Sequence, residues 1–167
     1  MRGAAYIELL VVLALIAVLT ALVVIPNYRQ YMASRQVRDA ATTLAEDIAL
    51  LERSAQNGAR DEGATLWLTS NSPLSYSCYR GRPQSLDPNS HLQGLILRRT
   101  FAHVAVAGPI NASTPLLFAG NGSAQYQVDG AMADPHGPID FSLGPRDGTE
   151  QSAHVILNPF TGSVSRP

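Results

Sequence analysis

From Gly3 to Pro26 the chain is apolar at almost every position, and Glu8 is the one charge in the run. A helix from Ala4 to Ile25 would rise about 33 Å, enough to cross a hydrocarbon core of about 30 Å. Pro26 removes one backbone donor and predicts a bend in the helix rather than its end. Beyond it the pattern becomes one-sided. Val37, Ala41, Leu44, Ile48, Leu51 and Ala55 recur at alternating spacings of four and three, while Asp39, Thr43, Glu46, Asp47 and Arg53 fall away from that stripe. Asn57-Gly58 is a stop signal. One helix of more than fifty residues is predicted, apolar all round in its first half and amphipathic in its second.

From Ala64 the texture changes to short apolar or alternating runs between Gly, Pro, Asn and Ser. Strands are predicted at Thr65–Thr69, Ser75–Tyr79, Leu95–Arg99, His103–Ala107, Leu116–Phe118, Gln125–Val128, Ile139–Leu143, Ala153–Leu157 and Ser163–Ser165. Turn signals separate them, and the stretch Gly81–Gly94 reads as a long mobile loop. The pattern predicts an α+β chain: a long N-terminal helix, membrane-spanning in its first half, packed on an antiparallel β-sheet head. A free coiled coil is the alternative for the amphipathic half. The β-rich remainder is the better cover for the stripe, because it needs a partner layer.

Composition narrows the chemistry. The chain has 167 residues and a formal net charge of −1, so nothing in the overall charge points to a polyanionic or polycationic partner. Every basic side chain is arginine. That excludes a P-loop lysine, a Schiff-base lysine and a lysine general base. Cys78 is alone and cannot form an intrachain disulfide; it reads as a small buried apolar residue. His91, His103, His136 and His154 are scattered with no metal-binding spacing, so neither a metal nor another cofactor is expected and the chain does not read as an enzyme. His103 and His154 fall in strand-like runs. Arg146-Asp-Gly-Thr-Glu150 lacks the dense oxygen ligands of a calcium loop and reads as a solvated turn. Asn111-Ala-Ser113 and Asn121-Gly-Ser123 match a glycosylation triplet and read as turn residues or chance matches.

Three readings fit the N-terminal run. A cleaved secretory signal needs a basic region and a small-residue cleavage site after its core, and neither is clear here. A plain membrane anchor fits the hydropathy but not an acidic residue near the start of the apolar run, where a carboxylate needs a partner or a function. The third reading accounts for it. Gly3-Ala-Ala-Tyr-Ile-Glu8-Leu-Leu-Val-Val12 resembles the class III signal of type IV pilins and type II secretion pseudopilins. In that family a prepilin peptidase cuts after a glycine, the new N-terminus is methylated, and a glutamate stands at the fifth mature position. The resemblance implies a leader over residues 1–3, cleavage after Gly3, Ala4 as the N-methylated mature terminus, and Glu8 as the assembly residue. It would pair with a neighbouring subunit's terminal ammonium, each group offsetting the other's desolvation. Ala4 stands where the family usually has phenylalanine, and the kink proline, Pro26, falls one place late.

Leu44-Ala-Glu-Asp-Ile-Ala-Leu-Leu-Glu-Arg-Ser-Ala-Gln-Asn-Gly58 with Thr65-Leu-Trp-Leu68, and the ending Ile139-Asp-Phe-Ser-Leu-Gly144 with Val155-Ile-Leu-Asn-Pro-Phe-Thr-Gly-Ser-Val164, are similar to the GspH/FimT group of minor pseudopilins and minor type IV pilins. The middle of the chain carries no such resemblance. The implied organisation is a leader over 1–3, a helix over 4–57 that is transmembrane over about 4–26, and a β-rich head over 58–167. The implied location is the bacterial cytoplasmic membrane, single-pass, with the head outside the cytoplasm, followed by a pilus or pseudopilus. The implied partners are other pilins or pseudopilins, the prepilin peptidase and the inner membrane.

Some members of the group contact DNA through arginine in a C-terminal motif. The tail Gly162-Ser-Val-Ser-Arg-Pro167 retains only Arg166, and one arginine gives weak, salt-sensitive contact. Arg98, Arg99, Arg80 and Arg82 would add to it if they shared its face. Three readings of function follow: a structural filament subunit, a DNA-binding minor pilin of a competence system, and an ordinary anchored periplasmic domain.

Overall fold

The computed structural model describes residues 2–58, 63–81, 94–108, 110, 114–128, 131–133, 135–148 and 152–167. His91, Arg82, most of the loop 81–94, the triplet 111–113 and Glu150 lie outside them.

A single helix, α1, runs from Arg2 to Asn57. Pro26 lies inside it and does not end it, as a proline that removes a single donor from a long helix allows. The chain divides into two compact units, Met1–Arg35 and Gln36–Pro167. In the first, the side chains described from Tyr6 to Tyr31 are exposed, including Ile7, Leu15, Leu22 and Ile25. This part of the helix is long and apolar enough to cross a membrane.

Among the described residues, the second unit holds the amphipathic half of α1 and ten strands. These are β1 (Ala64–Asn71), β2 (Leu74–Arg80), β3 (Leu95–Phe101), β4 (Val104–Ala107), β5 (Leu116–Phe118), β6 (Ala124–Val128), β7 (Ala131–Ala133), β8 (Ile139–Pro145), β9 (Ala153–Leu157) and β10 (Val164–Ser165). They form a six-stranded sheet, β3-β2-β1-β5-β6-β7, and a four-stranded sheet, β10-β9-β8-β4. Every pairing is antiparallel, so the fold is α+β.

The stripe on α1 is covered. Val37, Ala41, Leu44, Ile48, Leu51 and Ala55 are buried in one cluster with Leu66 and Leu68 of β1, Tyr76 and Cys78 of β2, and Phe141, Leu143, Val155 and Leu157 of the smaller sheet. Alternation along the strands explains the selection. Leu66 pairs with Cys78 and Leu68 with Tyr76, and these four form part of the helix-side core. Thr65, Trp67, Ser77 and Tyr79 occupy the opposite face of the same two strands. They too are buried, with Trp67 and Tyr79 in ring contact at 6.4 Å between centroids.

Three expectations need correction. Asp47 does not fall away from the stripe; it is 5% exposed. Three residues after Leu44 and four before Leu51, it lies on the flank of the stripe and is drawn into the core by polar partners described below. His103 is not in a strand but in the turn between β3 and β4, where its carbonyl accepts the Arg146 amide at 2.9 Å. β7 has no signal in the sequence: Ala-Met-Ala is too short to show a period. It pairs with β6 through Tyr126↔Ala133.

Candidate functional site

Residues with a role implied by the sequence fall into separate regions. Gly3 and Ala4 lie in the first turn of α1, and Glu8 follows on an exposed stretch of it. The next charged side chain after Glu8 is Arg29. Thr20, polar within this run, satisfies its own hydroxyl by donating to the Ile16 carbonyl at 2.7 Å. Between Tyr6 and Tyr28, Glu8 is therefore the single charged group of a bare apolar rod, where it needs water, a headgroup or another molecule as partner.

A polar cluster that the sequence pattern does not announce lies inside the second unit. The Tyr76 hydroxyl donates to Asp47 Oδ2 at 2.7 Å, and Arg99 Nε donates to the same oxygen at 3.2 Å. Asp47 is carried by α1, Tyr76 by β2 and Arg99 by the edge strand β3. The strand register sets Tyr76 directly opposite Arg99, so both reach the helix from one face of the sheet. Burial, then the bond to Asp47, pushes the Tyr76 phenol well above its ordinary value. Arg99 is held further in its charged form by the bond to Asp47. The Arg99 side chain is half exposed (47%) while that of Asp47 is not (7%), so the carboxylate reaches the surface only through the guanidinium. Beside them Cys78 is fully buried, and burial pushes its thiol up to about 12. That makes it an unreactive packing group, as its isolation in the sequence suggested. The usable signal for the cluster was spacing: Leu44, Asp47 and Leu51 share a helix flank, but an acid there reads as solvated unless its partner is known.

Of the arginines weighed as a nucleic-acid surface, Arg80, Arg98, Arg99 and Arg166 lie among the described residues and Arg82 does not. Arg166 Nη1 donates to Thr42 Oγ1 of α1 at 2.8 Å. Arg53 lies three turns farther along nearly the same side of the helix, and with Arg80 it lines a groove of about 530 Å³ that also includes Leu50 and Ile96. Exposed Glu46 stands on that side between Thr42 and Arg53. Arg98 and Arg99 are neighbours on β3 and therefore point to opposite faces. Arg98 donates to Ser77 Oγ at 3.1 Å, whereas Arg99 turns to Asp47. Glu46 thus interrupts the positive charge along the side of the helix that carries Thr42 and Arg53.

Two further polar features lie on the smaller sheet. His154 Nδ1 is 3.1 Å from both carboxylate oxygens of Asp140, a diagonal cross-strand pair on the solvent face of β8 and β9. The turn Asn158–Gly162 is closed by Gly162 N donating to the Asn158 carbonyl at 2.8 Å and by Phe160 N donating to Asn158 Oδ1 at 3.0 Å. It leaves Phe160 68% exposed at its tip. Gly162 has φ +71°, and a Cβ there would stand 2.8 Å from the Gly122 carbonyl oxygen as well as against the Glu52 side chain, so this turn favours glycine. Asn121 is also a turn residue, accepting from the amide and hydroxyl of Ser123.

No protein-family model, no curated protein and no solved structure matches the chain.

Proposed function

We propose that the chain is a structural subunit of the type IV pilin-like class, a minor pilin or pseudopilin of the GspH/FimT kind. In this reading it is cut by a prepilin peptidase after Gly3, methylated on Ala4 and built into a filament or its priming tip through its N-terminal helix. One observation carries the reading. A single helix is bare and apolar from Tyr6 to Tyr31, with Glu8 as its only acid, yet from Val37 its apolar stripe is buried in a β-rich head. A rod that keeps its apolar side chains exposed needs either lipid or other rods around it, and a carboxylate near its start needs a positive partner. Bundled copies of the same rod would supply both, through the ammonium of each new N-terminus.

The experiment is processing followed by incorporation. Mass spectrometry of the mature chain from peptidase-positive cells is expected to show Ala4 first, carrying one methyl group, and Gly3→Val is expected to stay unprocessed. Glu8→Ala is expected to insert and be cleaved, yet to be lost from sheared filaments and from complexes with partner pilins. An intact N-terminus would remove the family assignment. Wild-type incorporation of Glu8→Ala would show that Glu8 is not an assembly contact.

A further inference from the structure

The bare rod is not uniform along its length. Tyr6 is 67% exposed, and Tyr28 and Tyr31 are each 61% exposed. Tyr28 and Tyr31 are three residues apart and share a side of the helix. Exposed Arg29 lies between them and exposed Arg35 one turn beyond. From Glu8 to Tyr28 the helix rises about 30 Å and from Tyr6 to Tyr28 about 33 Å, close to the thickness of a bilayer's hydrocarbon core. Tyrosine favours the headgroup layer, where the ring is half in hydrocarbon and the hydroxyl is wet. An arginine at that depth meets lipid phosphates with matching charge and geometry.

We propose that the helix is seated in a phospholipid bilayer at one fixed depth by two headgroup contacts: Tyr28, Arg29 and Tyr31 dock on the anionic phosphates of one leaflet, and Tyr6 and Glu8 occupy the headgroup layer of the other. This rests on the membrane-spanning part of the function proposed above. Its consequence is that Glu8 does not wait at the midplane. Its carboxylate stays among headgroups and water until the rod is withdrawn, and withdrawal, not residence, exposes it to hydrocarbon. Arg35, about 6 Å farther along the axis, lies at the outer edge of the same layer.

The test uses the full chain in vesicles of phosphatidylcholine containing phosphatidylglycerol, with nitroxides on single cysteines at Ile7, Val18 and Gln30; Cys78 is buried and takes no label in the folded head. Oxygen and a water-soluble nickel chelate report depth. Val18 is expected at the hydrocarbon centre, and Ile7 and Gln30 at phosphate level on opposite sides. Tyr28→Leu with Tyr31→Leu is expected to let Gln30 sink by about one helical turn, 5 Å. Spin-labelled phosphatidylglycerol is expected to associate in preference to phosphatidylcholine, with the preference falling about fivefold in Arg29→Gln. Gln30 at hydrocarbon depth in the wild type, or no change in depth and lipid preference in these variants, overturns the proposal while leaving a membrane span in place. A nickel-accessible Val18 overturns the span itself, and the proposal with it.

Discussion

The two halves of α1 obey different rules. Between Tyr6 and Tyr31 no side of the helix is preferred and the described side chains are exposed. Between Val37 and Ala55 the apolar residues, exposed Leu50 apart, keep to a stripe, and its six positions are buried to within a few per cent. The first half can be satisfied only by surroundings that are apolar in every direction. The second is satisfied by its own chain, because two sheets close over one face and leave the other to water. Burial of the second half is thus a property of the folded head, while the first half awaits something outside the molecule.

The largest effect should come from cutting between these regions. A chain starting at Tyr28 keeps the stripe and is expected to be a soluble folded monomer with mixed helix and strand by circular dichroism. A chain starting at Gly58 loses Leu44, Ile48 and Leu51, each worth about 1.5–3 kcal/mol when buried. Their sum rivals the whole stability of a small domain, so it is expected to unfold or aggregate. Equal denaturation midpoints for the two chains would show that the stripe is not part of the core.

Next come the polar contacts that fix the second half in place. Asp47→Ala strips the buried Tyr76 hydroxyl of its acceptor and is expected to cost about 1–3 kcal/mol in urea unfolding of the Tyr28-start chain. Gly162→Ala forces a side chain into positive φ against Glu52 and is expected to cost about 1–3 kcal/mol. Arg99→Gln removes a half-exposed partner and is expected to cost less than about 1 kcal/mol. If Arg99→Gln proved as damaging as Asp47→Ala, the carboxylate would depend on its charge partner rather than on the phenol.

Smallest near neutrality, and growing only in alkali, is the effect of pH. Cys78 titrates near 12 in the fold against an ordinary value of 9.0, and Tyr76 is shifted in the same direction. Both are acids whose neutral form the fold favours. Their contribution is therefore fully present below pH 9 and is lost as pH rises toward 12, because the unfolded chain releases the protons first. Stability of the head is expected to be flat from pH 7 to 9 and to decline above it, with a shallower decline in Cys78→Ala. Alkylation of Cys78 at pH 8 is expected only on unfolding. Rapid labelling of the native chain would contradict its burial.

Much of this was legible in the residues. The helix, its apolar first half and the six stripe positions followed from periodicity alone, because a spacing of four and three places residues on one side of a helix and on no single face of a strand. Nine of the ten described strands were placed with their ends within two residues, since Gly, Pro and Asn punctuate this chain heavily. Among them, His103–Ala107 found its strand, but the histidine went to the turn. β7 was invisible because three small residues carry no alternation. Asp47 was misread for a deeper reason. Its partners, Tyr76 and Arg99, are twenty-nine and fifty-two residues away, and no local pattern tells a buried acid with distant partners from a solvated one. The same limit applied to the arginines, whose separate faces depend on strand register.

The edge strand β3 bears on how copies of this chain can meet. It is a seven-residue strand at the open side of the larger sheet, and Leu95, Ile96, Arg98, Arg99 and Thr100 along it are exposed. Such an edge would ordinarily invite another strand and seed aggregation. Here Arg98 and Arg99 project to opposite faces at its middle, so a strand laid alongside would crowd a guanidinium whichever face it presented. Two heads brought side by side would thereby be discouraged from joining sheet to sheet.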